Sequence, residues 1–86
     1  MSQAQKTQIL KLAKGSWQQS ILRNLISNHI ITNPIRELRG NARKYQGRYQ
    51  ASFNSLLSRL RKAGYTITIQ LGPLGGQWGA IYTLTV

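Results

Sequence analysis

The sequence predicts an α+β chain in which helices precede a two-stranded antiparallel hairpin, and three observations predict it. Phe53, Leu56, Leu57 and Leu60 recur at i, i+3, i+4, i+7, the spacing that lines one face of a helix. The stretches "TITIQL" (66–71) and "AIYTLTV" (80–86) alternate apolar and polar residues around a Gly- and Pro-rich connection, the pattern of a hairpin with one buried face. With 86 residues the chain can bury roughly 60% of its unfolded surface, which suffices for a single core.

In chain order, "SQAQKTQILKLAKG" places Ile9, Leu10 and Ala13 on one helical face, with Gly15 as a C-terminal stop. This gives an N-terminal helical extension over 1–15, ahead of a main domain over 16–86. Ser16, followed three residues later by Gln19, has the spacing of a capping box, and Ile21, Leu22, Leu25 and Ile26 form an apolar stripe for a helix over 17–28. His29, at its end, is placed to bond the last carbonyls. "HIIT" supplies a short strand with a single ladder contact. Asn33 as N-cap and Pro34 at the first helical position open a third helix over 34 to about 40. Gly40 ends it, unless the helical phase of Ile35, Leu38, Ala42 and Tyr45 carries it further.

The fourth helix, about 52–63, holds the Phe53, Leu56, Leu57, Leu60 stripe, and Gly64 with Tyr65 suits a Schellman ending. In the hairpin, Ile67, Ile69 and Leu71 are expected to face the core with Tyr82, Leu84 and Val86.

Charge bounds function more tightly than length does. Twelve Lys and Arg against one acid, Glu37, give a net +11, which cannot be neutralised internally and makes a polyanion the natural partner. Acid–base pairs, carboxylate metal sites and nucleophilic triads need Asp, Glu, His or Cys. The chain offers Glu37 and His29 alone and no Cys, so the expectation is a non-enzyme without metal or cofactor. No window has the length of a membrane span or the apolar run of a signal peptide. The expected location is cytoplasmic, at the nucleoid or in a host cytoplasm if the source is viral.

Taken in order, "IITNPIRELRG", "YQASFNSLLSRLRKAGYTI" and "GGQWGAIYTL" resemble the strand and second helix, the recognition helix, and the returning wing strand of a winged helix-turn-helix domain. The resemblance runs from residue 17 to residue 86. Its "LR..GY.I" pattern, at Leu60, Arg61, Gly64, Tyr65 and Ile67, is similar to that of small phage and mobile-element regulators. It implies duplex DNA as partner, a recognition helix in the major groove, and a C-terminal hairpin acting as a wing. One departure is the connection "GNARKYQGRYQA", longer and more basic than usual between the two helices of the motif. It leaves the start of the recognition helix open between Arg48 and Ser52.

The candidate contacts fall into three groups. Arg36, Arg39, Arg43, Lys44 and Arg48, interleaved with Tyr45 and Tyr49, have the composition of a phosphate-binding loop. Gln50, Ser52, Asn54, Ser55, Ser58, Arg59 and Lys62 are expected on the outer face of the fourth helix, where such side chains read base edges. The hairpin is different, because from Ala63 to Val86 no side chain is charged. Its tip leaves three readings open. Gly75, Gly76 and Gly79 can bring the backbone close to a minor groove, with Gln77 donating and Trp78 on sugars. Alternatively Leu74 and Trp78 contact a second copy or another protein, or Trp78 folds back on the core. The leading expectation is a transcriptional or recombination regulator. The alternative is a phage-type inhibitor or assembly protein that uses the same basic scaffold on a host nucleic-acid enzyme or its RNA.

Overall fold

The computed structural model describes residues 2–74 and 76–85. Gly75 at the hairpin tip and Val86, expected in the core, lie outside the described residues, as does the side chain of Gln77.

Helix α1, Gln3–Leu10, begins at a capping box formed by Ser2 and Gln5: Ser2 Oγ accepts from the Gln5 amide at 3.2 Å, and Gln5 Oε1 accepts from the Ser2 amide at 3.0 Å. The box expected at Ser16 and Gln19 does not form. Helix α2, Gly15–Asn28, starts one residue before Ser16, with Lys14 as its N-cap. Gly15 therefore opens α2 instead of ending α1, and does so at φ +83°, where a side chain would be strained. In place of a cap, Oε1 of Gln18 reaches back to the Lys14 amide at 2.8 Å.

His29 closes α2 in the left-handed region at φ 62°. Its backbone makes a different contact from the one expected of its ring: the His29 carbonyl accepts from the Leu84 amide at 3.0 Å. Strand β1, Ile30–Thr32, thereby starts in register and pairs with strand β3 over three positions, Ile30 with Thr83, Ile31 with Tyr82 and Thr32 with Ile81.

Asn33 caps the next element as expected, accepting from the Ile35 amide at 3.0 Å, but that element is a 3-10 turn, Pro34–Glu37, and not a helix to 40. Leu38 breaks away into extended backbone and is buried. Gly40, at φ +60°, then turns the chain into the single-turn helix α3, Asn41–Lys44. Helix α4, Gln46–Lys62, follows at once. It starts before both anticipated points, so the expected basic loop is helical. Packing overrides the weak propensity of Gly47: Tyr49, one turn into α4, meets Trp17 of α2 edge-to-face with ring centroids 4.9 Å apart.

At the far end of α4 the Gly64 amide bonds the Arg61 carbonyl and the Tyr65 amide bonds the Leu60 carbonyl, both at 3.0 Å, with Gly64 at φ +99°. These are the two bonds of a Schellman termination. Strands β2, Thr66–Leu74, and β3, Gln77–Thr85, form the hairpin, and the antiparallel sheet has the order β1-β3-β2.

One face of this sheet carries Ile31, Ile67, Tyr82 and Leu84 against Leu22, Leu25 and Ile26 of α2 and Phe53, Leu56, Leu57 and Leu60 of α4. Phe53 meets the Tyr82 ring edge-on at 4.9 Å. Ile9 of α1 is fully buried in the same cluster, with Ala13 beside it, so α1 packs as part of this core. The expectation for Ile69 and Leu71 fails. They share the face of Ile67, yet they are 50% and 76% exposed, because the hairpin runs on past the helices that cover its base.

Candidate nucleic-acid interface

The core stripe of α4 fixes what the opposite face presents. With Phe53, Leu56, Leu57 and Leu60 turned inward, the 100° step of a helix turns Gly47, Arg48, Ala51, Asn54, Ser55, Ser58 and Lys62 outward, and all of these are exposed. The middle of this surface is small and uncharged. Cations bracket it: Arg43, Lys44 and Arg48 toward its start, Arg61 and Lys62 at its end, every one exposed. Gly47 and Ala51 were not singled out from the sequence, although their spacing from Ser55 and Ser58 is the signal that would have found them.

Several predicted contact residues are engaged within the fold. Among the described residues Gln18 is the buried polar side chain, 4% exposed, and all its hydrogen-bonding capacity is met. Its Oε1 accepts from the Lys14 amide and from Arg59 Nη1 at 3.1 Å, while its Nε2 donates to Ser52 Oγ at 2.7 Å and to the Ser52 carbonyl at 3.0 Å. Arg59 also donates from Nη1 to the Leu12 carbonyl and from Nη2 to Ser55 Oγ at 3.0 Å. One guanidinium thus ties the α1–α2 junction, α2 and α4 together. Arg59 and Ser52 belong to this junction, and Ser55 is shared between it and the surface.

Arg36 and Arg39 also bond within the fold, each through Nη1, while remaining exposed. Arg36 Nη1 donates to the Trp78 carbonyl, and a Cβ at Gly79 would run into that guanidinium. Gly79 makes room for Arg36, which is a reason for a glycine there that the sequence alone does not disclose. Arg39 donates to the carbonyls of Arg36 and Leu38 at 3.2 and 3.1 Å, holding the 3-10 turn closed. Gln50 Nε2 donates to Asn54 Oδ1 at 3.0 Å on the surface, a bond that uses the Asn54 oxygen and not its amide nitrogen.

At the start of α4 the structure brings together residues the sequence left apart. Lys14 and Trp17 from the start of α2 join Tyr45, Arg48 and Tyr49 around an open cavity of about 440 Å³. The Arg48 guanidinium carbon lies 5.3 Å from the centre of the Tyr45 ring, a cation–π geometry. The cavity is cationic and aromatic, as a site for a phosphate with its sugar or base would be.

No protein-family model, curated protein or solved structure matches this chain. Within the hairpin, Trp78 is 66% exposed, which removes the possibility that it folds onto the core. Leu74 and Trp78, paired in expectation, lie on opposite faces, since Leu74 stands opposite Gln77 and Pro73 opposite Trp78. Leu74 is half-buried beside Ile30 and Arg36.

Proposed function

We propose that the protein is a non-enzymatic, duplex-DNA-binding winged helix-turn-helix domain, acting as a transcriptional or recombination regulator, with α4 lying in the major groove. The observation that carries this reading is the outward surface of α4: small, uncharged residues along its middle and cations at both ends. A major groove about 12 Å wide admits a helix whose outward side chains are short. The charged ends then fall where the phosphate strands run.

The element order supports the same reading. A helix, a short strand, a helical turn and a long helix leading into a hairpin whose last strand lies centrally, in the order β1-β3-β2, accords with a winged helix. The turn is unusual, a 3-10 segment and α3 in place of one helix, and it presents Arg43 and Lys44 beside Arg48. In this reading Arg43, Lys44, Arg48 and Lys62 hold phosphates. Asn54 and Ser58 face the bases, and the Lys14, Trp17 and Tyr45 cavity seats a flanking nucleotide of the backbone.

Selection from a random duplex pool at near-physiological salt tests the proposal. A sequence motif should emerge, and Asn54→Ala should relax it at particular positions, whereas Lys44→Ala and Arg48→Ala should weaken binding evenly across sequences. Retention without any motif, unaffected by Asn54→Ala, overturns the groove-reading role.

A further inference from the structure

Among the described residues, the long edge of the sheet is bare. In the order β1-β3-β2, strand β2 has a partner on one side only, and its nine residues, 66–74, include no charged side chain. Soluble proteins normally protect such an edge with Lys, short length or a covering segment. This one is long, and Ile69 and Leu71 stand exposed along it, with Trp78 exposed on the same face of the hairpin.

Hydrogen bonding at the other side of the sheet fixes which residues offer their backbone to this edge. The Leu84 amide bonds the His29 carbonyl, and the Asn33 amide bonds the Ala80 carbonyl, so Ala80, Tyr82 and Leu84 direct their backbone groups toward β1. The alternate residues of β3 then face β2, where they meet Thr66, Thr68, Gln70 and Gly72. What remains for the open edge is the backbone of Ile67, Ile69, Leu71 and Pro73. Pro73, which has no N–H, sits where no donor is needed by β3, the position an edge strand tolerates.

We infer that this edge pairs with the same edge of a second copy, antiparallel and across a twofold axis at Gln70. Gln70 is the central residue of β2, so the two strands overlap over their whole length. Ile69 of each copy then stands opposite Leu71 of the other and exchanges both backbone hydrogen bonds with it, and the sheet becomes six strands wide. A twofold axis normal to the sheet keeps the same face of each copy on the same side. The exposed apolar pairs therefore meet each other there, and both α4 helices remain on that side.

Charge selects the occupant. A polyanion or an acidic protein gains most from the basic surfaces and nothing electrostatic from residues 63–86. A second copy, itself at +11, is repelled from every basic surface and can approach where the charge is missing.

The test uses the full chain without nucleic acid, so its result is independent of the DNA-binding proposal. Sedimentation equilibrium in about 1 M salt, where the Debye length is about 3 Å, should give a concentration-dependent dimer. Leu71→Lys should weaken it by about tenfold or more, since it puts a charge into both apolar cross-strand pairs, with an unchanged circular dichroism spectrum because Leu71 is exposed. The chain has no cysteine, so Gln70→Cys introduces a single thiol. Directly opposite Cβ atoms lie about 4.5–5.5 Å apart, and mild oxidation should link two copies through Cys at 70 and not through a Lys11→Cys control. A monomer at every concentration overturns the inference. So does a dimer that survives Leu71→Lys, or one that crosslinks equally from both positions.

Discussion

Gln18 shows how a single residue decides what its neighbours are free to do. Buried with four hydrogen bonds, it draws Ser52 and Arg59 inward, and both had the composition of DNA contacts when read along the chain. Arg59→Ala is expected to cost about 1–3 kcal/mol, because it strips partners from the Leu12 carbonyl and from Gln18. Denaturant unfolding checks this, and the same variant should change DNA affinity little once stability is accounted for. His29 makes the opposite case. Its left-handed backbone is one that glycine adopts freely, so His29→Gly should leave the register of β1 intact and raise stability by about 0.5–1 kcal/mol. A loss of stability in that variant would mean that the ring contributes more than its backbone position does. Tyr82 supplies the pH dependence. Burial raises its phenol above the ordinary 10.0, with Arg61 partly opposing. A group raised in the folded state stabilises the fold fully below its unfolded value and loses that contribution as pH rises through the folded value. Stability should therefore fall above about pH 10, and Tyr82→Phe, nearly isosteric, should flatten that fall when the two alkaline unfolding curves are compared.

At the scale of elements, the segments whose residues carry their own boundary signals were legible. The α4 stripe, its Gly64–Tyr65 ending, the Asn33 cap and the hairpin alternation are local patterns, and each appears where the sequence puts it, except that Ile69 and Leu71 of the hairpin stay exposed. What escaped were boundaries set by contacts distant in sequence. The start of α4 is fixed by Tyr49 on Trp17, 32 residues earlier, and Gly15 opens a helix because Gln18 satisfies the Lys14 amide. The 3-10 turn ends where Leu38 goes into extended backbone to reach its buried place, whereas the shared phase of Ile35 and Leu38 reads as a helix there. In the candidate site the exposed cations were legible from composition, whereas the bond that the exposed Arg36 makes to the hairpin, across 42 residues, was not. That bond gives an element-scale expectation. Gly79→Ala should expel the guanidinium from its place over β3 while leaving the fold intact, as the obstruction is the end of a flexible side chain. Loss of a protected Arg36 resonance in an NMR spectrum, with the rest of the hairpin unchanged, is the outcome that checks it.

For the whole molecule, the balance lies between a neutral core and hairpin and a surface at +11. Free protein and bound protein should answer to salt with opposite signs. Without a polyanion, the cations repel one another, and screening relieves them: the thermal midpoint is expected to rise from about 0.01 M to 0.15 M salt as the Debye length shrinks from about 30 to 8 Å. With duplex DNA present, binding to the folded state alone adds about 2.7 kcal/mol when free DNA is 100 times Kd. That contribution decays as salt rises, because the logarithm of affinity should fall against the logarithm of salt with a slope of about −5 to −7 if six to eight phosphates are neutralised. The two melting curves should consequently converge from opposite directions and meet at high salt. Parallel curves would mean that DNA does not bind through the cations of α3 and α4, and Lys44→Ala with Lys62→Ala should flatten both curves together, since the same charges produce the repulsion and the binding.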